Sequence, residues 1–258
     1  MLKRVVIIGS GNLAEQLAIA VAEAEGVELV QLYARNPERG KAVAALAHTS
    51  WTNNPKELAE ADLYLIAVSD RAVREVAETL PIPSEAVVAH TAGSVPLDAL
   101  DRYPRRAIFY PFQGFSAGRR VSFRELYLFL ETADERVMPP LEAFARRLSE
   151  HVAVADSERR ARIHLAGVFC NNFTNCMYTL AGEVLQGADL PFDVLKPLIT
   201  ETAAKAVASD DPRTVQTGPA KRGDRSSQER HLALIDDERL RTIYELISQT
   251  IWETSKKI

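Results

Sequence analysis

The sequence predicts an α/β fold in which a Rossmann-type, doubly wound and mostly parallel sheet is followed by a smaller all-helical domain. Three observations predict it. Short apolar runs rich in β-branched residues alternate with helical periods up to about Ala155, which is typical of a parallel sheet covered on both faces. A glycine-containing turn follows the first of these runs. From Ser157 onward the sequence shows only helical periods.

The strand candidates of the first part are short and apolar. The first two, RVVIIG and ELVQLYA, flank an amphipathic helix in which Leu13, Leu17 and Val21 recur every fourth residue, so they form a βαβ unit. The pattern continues in the runs ADLYLIAVS, EAVVAHTAGS, RRAIFYPFQG, ELYLFLET and HVAVAD. Helical or turn segments lie between them, at residues 54–60, 70–80, 96–100 and 134–150.

The second part is predicted to be helical at residues 158–186, 192–209, 226–235 and 238–255. No linker rich in glycine and serine marks where this part begins, so the change of period alone places the boundary near Ala155. We therefore predict two domains, residues 1–155 and residues 156–258.

Composition excludes several classes of protein. The 31 Lys and Arg residues against 35 Asp and Glu give a net charge of -4, without the cationic field that nucleic-acid binding requires. Cys170 and Cys176 lie in an apolar stretch without CxxC spacing, so we expect two small core residues rather than a metal site or a disulfide. No apolar run is long enough to span a bilayer, and the run before Gly9 is too short for a signal peptide. We expect a cytoplasmic protein that binds no nucleic acid, membrane or metal.

The glycine-containing turn has the sequence GSGNLA. A lone G-x-G-x-x-A is a weak pattern, but this one follows a buried strand and opens a helix inside a βαβ unit, which is the context of a dinucleotide site. Gly9 would make the tight turn, Gly11 would let the backbone approach the pyrophosphate, and Ala14 would allow close helix packing. The predicted cofactor contacts in this turn are Gly9, Ser10, Gly11, Asn12 and Leu13. The alternative is a bare turn between strand and helix.

The end of the second strand indicates the type of dinucleotide. NAD enzymes place a carboxylate there for the ribose 2′-OH, whereas this chain has Tyr33-Ala34-Arg35-Asn36. Arg35 would hold a 2′-phosphate through two parallel hydrogen bonds. The sequence therefore predicts NADP, unless Arg35 is simply a solvated loop residue.

Two further strand ends, AVSD and HTAGS, fall at the edge of the sheet where ligands of such folds bind. Small and hydroxyl residues there would let a nicotinamide ribose approach the backbone. The predicted contacts are Val68, Ser69, Thr91 and Gly93. Ser69 and Asp70 would also serve as caps of the next helix. We expect His90 to be a core or loop residue rather than a general acid.

The helix predicted from Ile163 to Ala181 is apolar almost all round, as expected of a helix buried in a domain or dimer. At about 100° per residue, Asn171 and Asn175 fall within roughly 20° of His164, whereas Asn172 lies roughly 80° away. Aligned polar groups on such a helix either bond one another or line a pocket.

Motifs from both parts together resemble one family. They are GSGNLA, AVSD, HTAGS, YPFQGFS, RIHLAGVFCNNFTN and QTGPAKRGD. The chain is similar to Rossmann-like proteins with the domain of unknown function DUF2520, which are relatives of the pyrroline-5-carboxylate reductase, ketopantoate reductase and coenzyme-F420-dependent NADP oxidoreductase superfamily. The resemblance implies a dinucleotide-binding domain and a helical domain that forms a homodimer and closes the substrate site. It supplies no substrate.

The related β-hydroxyacid dehydrogenases carry a lysine four residues before an asparagine on this helix, as general acid or base. If Asn172 matches that asparagine, Val168 occupies the lysine position. His164, one turn earlier, would then be the proton donor. Alternatively, an imine that arrives already protonated would need no such donor.

The segment DPRTVQTGPAKRGDRSS resembles in placement the loop by which pyrroline-5-carboxylate reductases bind a substrate carboxylate. It lacks their double-glycine, double-threonine run. Gln216 and Thr217 would supply donors, and Arg222 would attract an anionic substrate. The alternative is an ordinary basic loop with Asp224 or Ser226 as the cap of the next helix.

The sequence thus predicts an NADP-dependent oxidoreductase that transfers a hydride between nicotinamide and a small, anionic imine, keto or hydroxy compound in an interdomain cleft. His164 and Asn172 would orient or protonate the substrate. The predicted substrate-binding residues are Asn171, Asn175, Gln216, Thr217 and Arg222. The rival interpretation, favoured by the missing lysine, is a non-catalytic NADP-binding sensor or scaffold.

Overall fold

The computed structural model describes residues 1–257. The chain divides into two compact units, the first from Met1 to Asn171 and the second from Asn172 onward. This division lies further along the chain than the boundary predicted near Ala155. The helix that follows Ala155 belongs to the first unit, because its buried Arg160 bonds to Glu131 and Val95.

A single sheet of eight strands forms the centre of the first unit. The strands are β1 Arg4–Ile8, β2 Glu28–Tyr33, β3 Ser50–Thr52, β4 Leu63–Ile66, β5 Val87–His90, β6 Arg106–Pro111, β7 Tyr127–Thr132 and β8 His151–Val154. Their order is β3-β2-β1-β4-β5-β6-β7-β8. Neighbouring strands are parallel except β6 and β7. The first six strands have the Rossmann order, which confirms the predicted fold class.

Helices cover both faces of the sheet. They are α1 Asn12–Glu23, α2 Pro37–Leu46, α3 Val73–Thr79, α4 Met138–Leu148 and α5 Ser157–Gly167. Side chains alternate between faces along a strand, so in β1 Val5 and Ile7 join the apolar core beneath α1, α2 and α4. Val6 and Ile8 join the second core, beneath α3. Burial on both faces explains why the strands read as continuous apolar runs.

The second unit contains helices joined by loops, with no strand in its described residues, as predicted. Its helices are α6 Thr174–Gln186, α7 Lys196–Val207, α8 Pro219–Arg222, α9 Arg225–Leu232 and α10 Glu238–Ser255. A π-helical segment, Val168–Phe173, connects α5 to α6. Within this unit, as far as it is described, Ala220 alone falls in the buried class.

The exposure of the helical unit corrects two expectations. Cys170 and Cys176 are exposed free thiols rather than core residues. The helix predicted to be buried from Ile163 to Ala181 has no residue in the buried class. Both differences have one physical reason: within residues 1–257, the neighbouring segments cover these helices only in part.

Two local features differ from the sequence prediction. The short strand β3 was not predicted, because three residues, Ser-Trp-Thr, are too few to show a period. The helix predicted at residues 158–186 is interrupted by the π-helical segment. None of the helices in residues 1–257 combines the length and apolar character needed to cross a membrane.

Candidate dinucleotide and substrate site

The strand order reverses between β1 and β4, and the loops after these strands meet at the carboxyl edge of the sheet. Ligands of open α/β sheets bind at such a point. Gly9 follows β1 with φ at 133°, and a Cβ at this position would lie 2.2 Å from the carbonyl oxygen of Ala67 after β4. Only glycine lets the two loops approach this closely.

The N-terminus of α1 fits an anion. Gly11 precedes the first helical residue and supplies no side-chain cap, so the first N–H groups of the helix have no such partner. A Cβ on Gly11 would meet no atom within 4 Å, so the space beside it is open. The Asn12 side chain is otherwise engaged, since it donates to the carbonyl oxygen of Phe115 at 3.3 Å. Leu13 packs against the core. An open helix N-terminus beside a forced glycine turn is the arrangement that a pyrophosphate requires.

Two arginines lie near this turn. Arg35 is exposed after β2 and forms a 3.6 Å ion pair with Glu75. Arg39 was not predicted. It lies on α2 and donates to the carbonyl oxygen of Ser10 at 3.3 Å and to Glu15 at 3.0 Å. Because Arg35 precedes α2, no helical spacing links the two arginines, and no sequence pattern indicates Arg39.

One predicted contact of the AVSD loop after β4, the helix cap by Ser69, is absent. Ser69 occupies the position before a short 3₁₀ turn, Asp70–Ala72, but its side chain makes no capping hydrogen bond. Val68 is partly buried against the second core. The carboxylate of Asp70 instead accepts a hydrogen bond from the hydroxyl of Ser94, in the loop after β5. The two loops are therefore connected.

His90, the last residue of β5, has a structural role, as expected: it holds the loop that follows. Its side chain is fully buried, its Nδ1 accepts from the N–H of Ala92 at 3.2 Å, and its Nε2 lies 3.3 Å from the carbonyl oxygen of Pro96. Burial lowers the pKa of His90 from 6.5 to about 4. Thr91 is also buried and donates to the carbonyl oxygen of Ile66 at 3.3 Å. The side chains of His90 and Thr91 therefore hold the backbone of this loop in place.

Tyr110 at the end of β6 contacts His164 of α5, with 3.0 Å between its hydroxyl oxygen and Nδ1. Burial, with a smaller contribution from the charge of Asp70, raises the pKa of Tyr110 to about 12. Gly93 lies against both side chains, since a Cβ there would be 2.5 Å from His164 Nδ1 and 2.8 Å from the Tyr110 hydroxyl. Sequence reasoning missed Tyr110, although it opens the YPFQGFS segment at a strand end.

The predicted polar stripe divides between the two units. His164 and Asn171 belong to the first unit, where the Asn171 amide lies against the backbone of Gly114. Asn172 and Asn175 belong to the second unit, and all three asparagines are exposed. The π-helical segment changes the number of residues per turn, so the regular step that aligned them is interrupted.

In the second unit, Gln216 and Thr217 are exposed, and the Gln216 amide donates to the carbonyl oxygen of Thr217 at 3.0 Å. Asp224 caps α9 by accepting from the N–H of Ser227 at 3.1 Å, so the capping interpretation is correct for this residue. Arg222 forms no ion pair with any residue in 1–257. The same is true of the neighbouring cations Lys221 and Arg225.

Thr217 also lines an apolar groove of about 390 Å³ between α6, α8 and α10. Its walls include Leu180, Val184 and Ile247. One polar pair lies in it, His231 Nδ1 and the Tyr244 hydroxyl, 2.8 Å apart. Sequence reasoning missed this groove because its lining comes from distant segments. Among the residues from 1 to 257, no group of carboxylates, histidines and cysteines is placed to hold a metal ion.

Comparisons with known proteins agree with this geometry. Residues 126–251 match the model of the domain of unknown function DUF2520, and residues 3–81 match the model of an oxidoreductase family with an NAD-binding Rossmann fold. A Bacteroides fragilis protein solved as a "putative NADP oxidoreductase" is 41% identical, with a TM-score of 0.89 over 97% of this chain and 98% of that one. The chain belongs to the DUF2520 family. A search of curated proteins finds no match.

More distant structures share the fold of this DUF2520 protein. An imine reductase from Streptomyces aurantiacus is 14% identical, with a TM-score of 0.69 over 94% of this chain and 92% of that one. A pyrroline-5-carboxylate reductase from Coxiella burnetii is 13% identical, with a TM-score of 0.58 over 100% of this chain and 98% of that one. The predicted resemblance to DUF2520 proteins is confirmed by the family model, and the first unit contains an NAD-binding type of Rossmann domain.

Proposed function

We propose that this protein is an NADP-dependent oxidoreductase acting on a small, anionic keto, imine or hydroxy compound. One observation carries the proposal: the forced glycine turn and open helix N-terminus share the carboxyl edge of one sheet with the Tyr110–His164 pair. When bound, the nicotinamide supplies or accepts the hydride. His164 would hydrogen-bond the reacting end of the substrate.

NADP rather than NAD is supported by the residues after β2. No carboxylate lies in the run from Tyr33 to Asn36. Arg35 projects into solvent, and its ion pair at 3.6 Å is too exposed to hold it firmly. Arg39 reaches back to the glycine turn. Two guanidinium groups beside the turn are suited to a 2′-phosphate.

An anionic substrate is supported by the second unit. Lys221, Arg222 and Arg225 lie within five residues of one another and have no ion-pair partner in the described chain. Unpaired cations raise the local concentration of anions. We propose that Arg222 binds the charged end of the substrate, with Gln216 and Thr217 as further donors. Asn171, Asn172 and Asn175 would complete the site.

A homodimer through the helical domain belongs to the same proposal. Helices α6, α7, α9 and α10 have no buried residue in the single chain. Their exposed apolar side chains include Val184, Leu198 and Leu246. Apolar surface of this extent on a folded unit is typical of a protein interface.

The test is an assay of NADPH oxidation with a panel of keto acids and cyclic imino acids, read as loss of nicotinamide absorbance. We expect turnover with at least one anionic compound, and its loss in His164→Ala with NADPH binding unchanged. If the protein binds NADPH but turns over no member of the panel, the result would favour the sensor interpretation. Val168 at the lysine position supports that interpretation.

A further inference from the structure

The hydroxyl of Tyr110 has a single hydrogen-bond partner in residues 1–257, Nδ1 of His164 at 3.0 Å. Tyr110 is buried, and a buried hydroxyl needs an acceptor for its proton. The ring of His164 is partly exposed, and its Nε2 forms no hydrogen bond within the described chain. Within the described chain, the Tyr110 hydroxyl therefore has a hydrogen-bond partner, whereas Nε2 of His164 has none.

The direction of this hydrogen bond follows from the tyrosine. Because the pKa of Tyr110 is raised to about 12, its hydroxyl keeps its proton at neutral pH. If Nδ1 carried the ring proton, that proton would point at the hydroxyl oxygen, and the tyrosine proton would have no acceptor. The arrangement that satisfies both groups has Tyr110 donating to Nδ1, so a neutral ring carries its proton on Nε2.

The charged groups that act on Tyr110 are Asp70 and Arg160. Asp70 accepts from Ser94, and Arg160 bonds to Glu131 and to the carbonyl oxygen of Val95. Arg160 is a donor only, and within residues 1–257 Asp70 makes no hydrogen bond to Tyr110. Gly93 lies against both rings, so the backbone of the loop after β5 keeps the pair in contact.

We propose that Tyr110 is a positioning residue that fixes His164 as an Nε2–H donor, and that the ligand presents an oxygen acceptor, a carbonyl or carboxylate, to this N–H. A protonated imine nitrogen, which has no lone pair, does not fit such a donor. The ligand part of this inference rests on the proposed function. The tautomer of His164 does not.

The tautomer is measured by long-range ¹H–¹⁵N correlation on protein with labelled histidine, and the His164 signals are assigned with His164→Gln. We expect the Nε2–H pattern in the unmodified protein and its conversion to a tautomer mixture in Tyr110→Phe. His90 is an internal control, since the Ala92 N–H fixes its ring independently. Tyr103→Phe is a matched control, because this buried tyrosine donates to the carbonyl oxygen of Ala77 and contacts no histidine.

An Nδ1–H pattern in the unmodified protein, or an unchanged pattern in Tyr110→Phe, would overturn the positioning role. If Tyr110→Phe does not fold, the tautomer pattern of the unmodified protein still tests the positioning role. Gly93→Ala then serves as a second variant that disturbs the Tyr110–His164 contact. Its methyl group would lie 2.5 Å from His164 Nδ1 and 2.8 Å from the Tyr110 hydroxyl, so both side chains would have to move.

The ligand part is tested by titrating the NADP-loaded protein with pyruvate, which carries oxygen acceptors, and separately with pyrrolidinium, which carries only N–H donors. We expect pyruvate alone to shift the His164 Nε2–H signal. A shift with pyrrolidinium would contradict the inference, and so would the absence of a shift with both compounds. If the tautomer and the pyruvate shift appear but no compound oxidises NADPH, the proposed function fails and the positioning role stands.

Discussion

The guanidinium of Arg160 donates a hydrogen bond to the carbonyl oxygen of Val95 at 2.6 Å. The same group pairs with Glu131 of β7, and only 1% of the Arg160 side chain is exposed. Arg160 lies one turn before His164 on α5, and Val95 lies two residues after Gly93. The contact therefore connects the helix that carries His164 to the loop that carries Gly93.

Replacing Arg160 with Ala should destabilise the first unit by about 3–5 kcal/mol, because the largely buried Glu131 carboxylate loses its cationic partner and keeps only the Ser157 hydroxyl. The matched control is Arg162→Ala on the same helix. Its ion pair with Glu158 is largely exposed, so the expected loss is below about 0.5 kcal/mol. Urea unfolding followed by circular dichroism measures both. Equal effects of the two substitutions would show that Arg160 does not anchor α5.

Replacement by Ala should lower folding stability at Gly9 and NADPH affinity at Gly11. Gly9→Ala places a methyl group 2.2 Å from the Ala67 carbonyl oxygen at a positive φ, and should cost at least about 2 kcal/mol of stability. Gly11→Ala meets no atom, so its stability should stay within about 0.5 kcal/mol. Its methyl group would fill the space beside the helix N-terminus, so NADPH affinity should fall about tenfold or more. Undiminished NADPH binding by Gly11→Ala would contradict the dinucleotide site.

Arg35→Ala and Arg39→Ala should each weaken NADP binding by about 10- to 100-fold, since each removes a charge-assisted hydrogen bond to the 2′-phosphate. NAD affinity should not change in either variant. Unchanged NAD binding would also show that the glycine turn is intact. Arg74→Ala is a control, because this exposed arginine pairs with Asp98 instead. Calorimetric titration with both cofactors measures the difference. Equal affinity of the unmodified protein for NADP and NAD would reject the assignment.

The frame of the site was predictable from the sequence, because it depends on local patterns. The run RVVIIG, the glycines after it and the helix period of Leu13 and Leu17 are contiguous, and the carboxyl ends of parallel strands must meet. Arg35 could be placed for the same reason, as the residue that follows a strand end.

The contacts that complete the site were not predictable, because they join distant segments. Tyr110 and His164 are far apart in the chain, and nothing in YPFQGFS indicates that its tyrosine reaches a helix beyond two more strands. Arg160, in the charged run ERRARIH, looks like a solvated helix residue, yet it is buried. No feature of the composition indicates the π-helical segment. The sequence prediction therefore assumed a regular helix, and this assumption placed Asn171 in line with His164.

Folding stability should fall on acidification partly through His90. The folded protein keeps this ring neutral down to a pKa of about 4, whereas the unfolded chain binds its proton near pH 6.5. Between these values the unfolded state holds the extra proton, so stability decreases as the pH falls from 6.5 to 4, by up to about 3 kcal/mol. His90→Gln should show a correspondingly flatter pH dependence in urea unfolding. His151→Gln, at an exposed site, should keep the original slope, and identical slopes for both variants would contradict the prediction.

The apolar faces of the helical unit should make the protein dimeric in solution, at twice the chain mass of 28.5 kDa. Leu198 on α7 and Leu246 on α10 are 62% and 60% exposed in the single chain. A charge on either face would have to be desolvated in a dimer interface, so Leu198→Asp and Leu246→Asp should each weaken association at least tenfold. Leu46→Asp is the matched control, since Leu46 is 55% exposed on α2 of the first unit. Sedimentation equilibrium measures the masses, and a monomeric native protein would contradict the prediction.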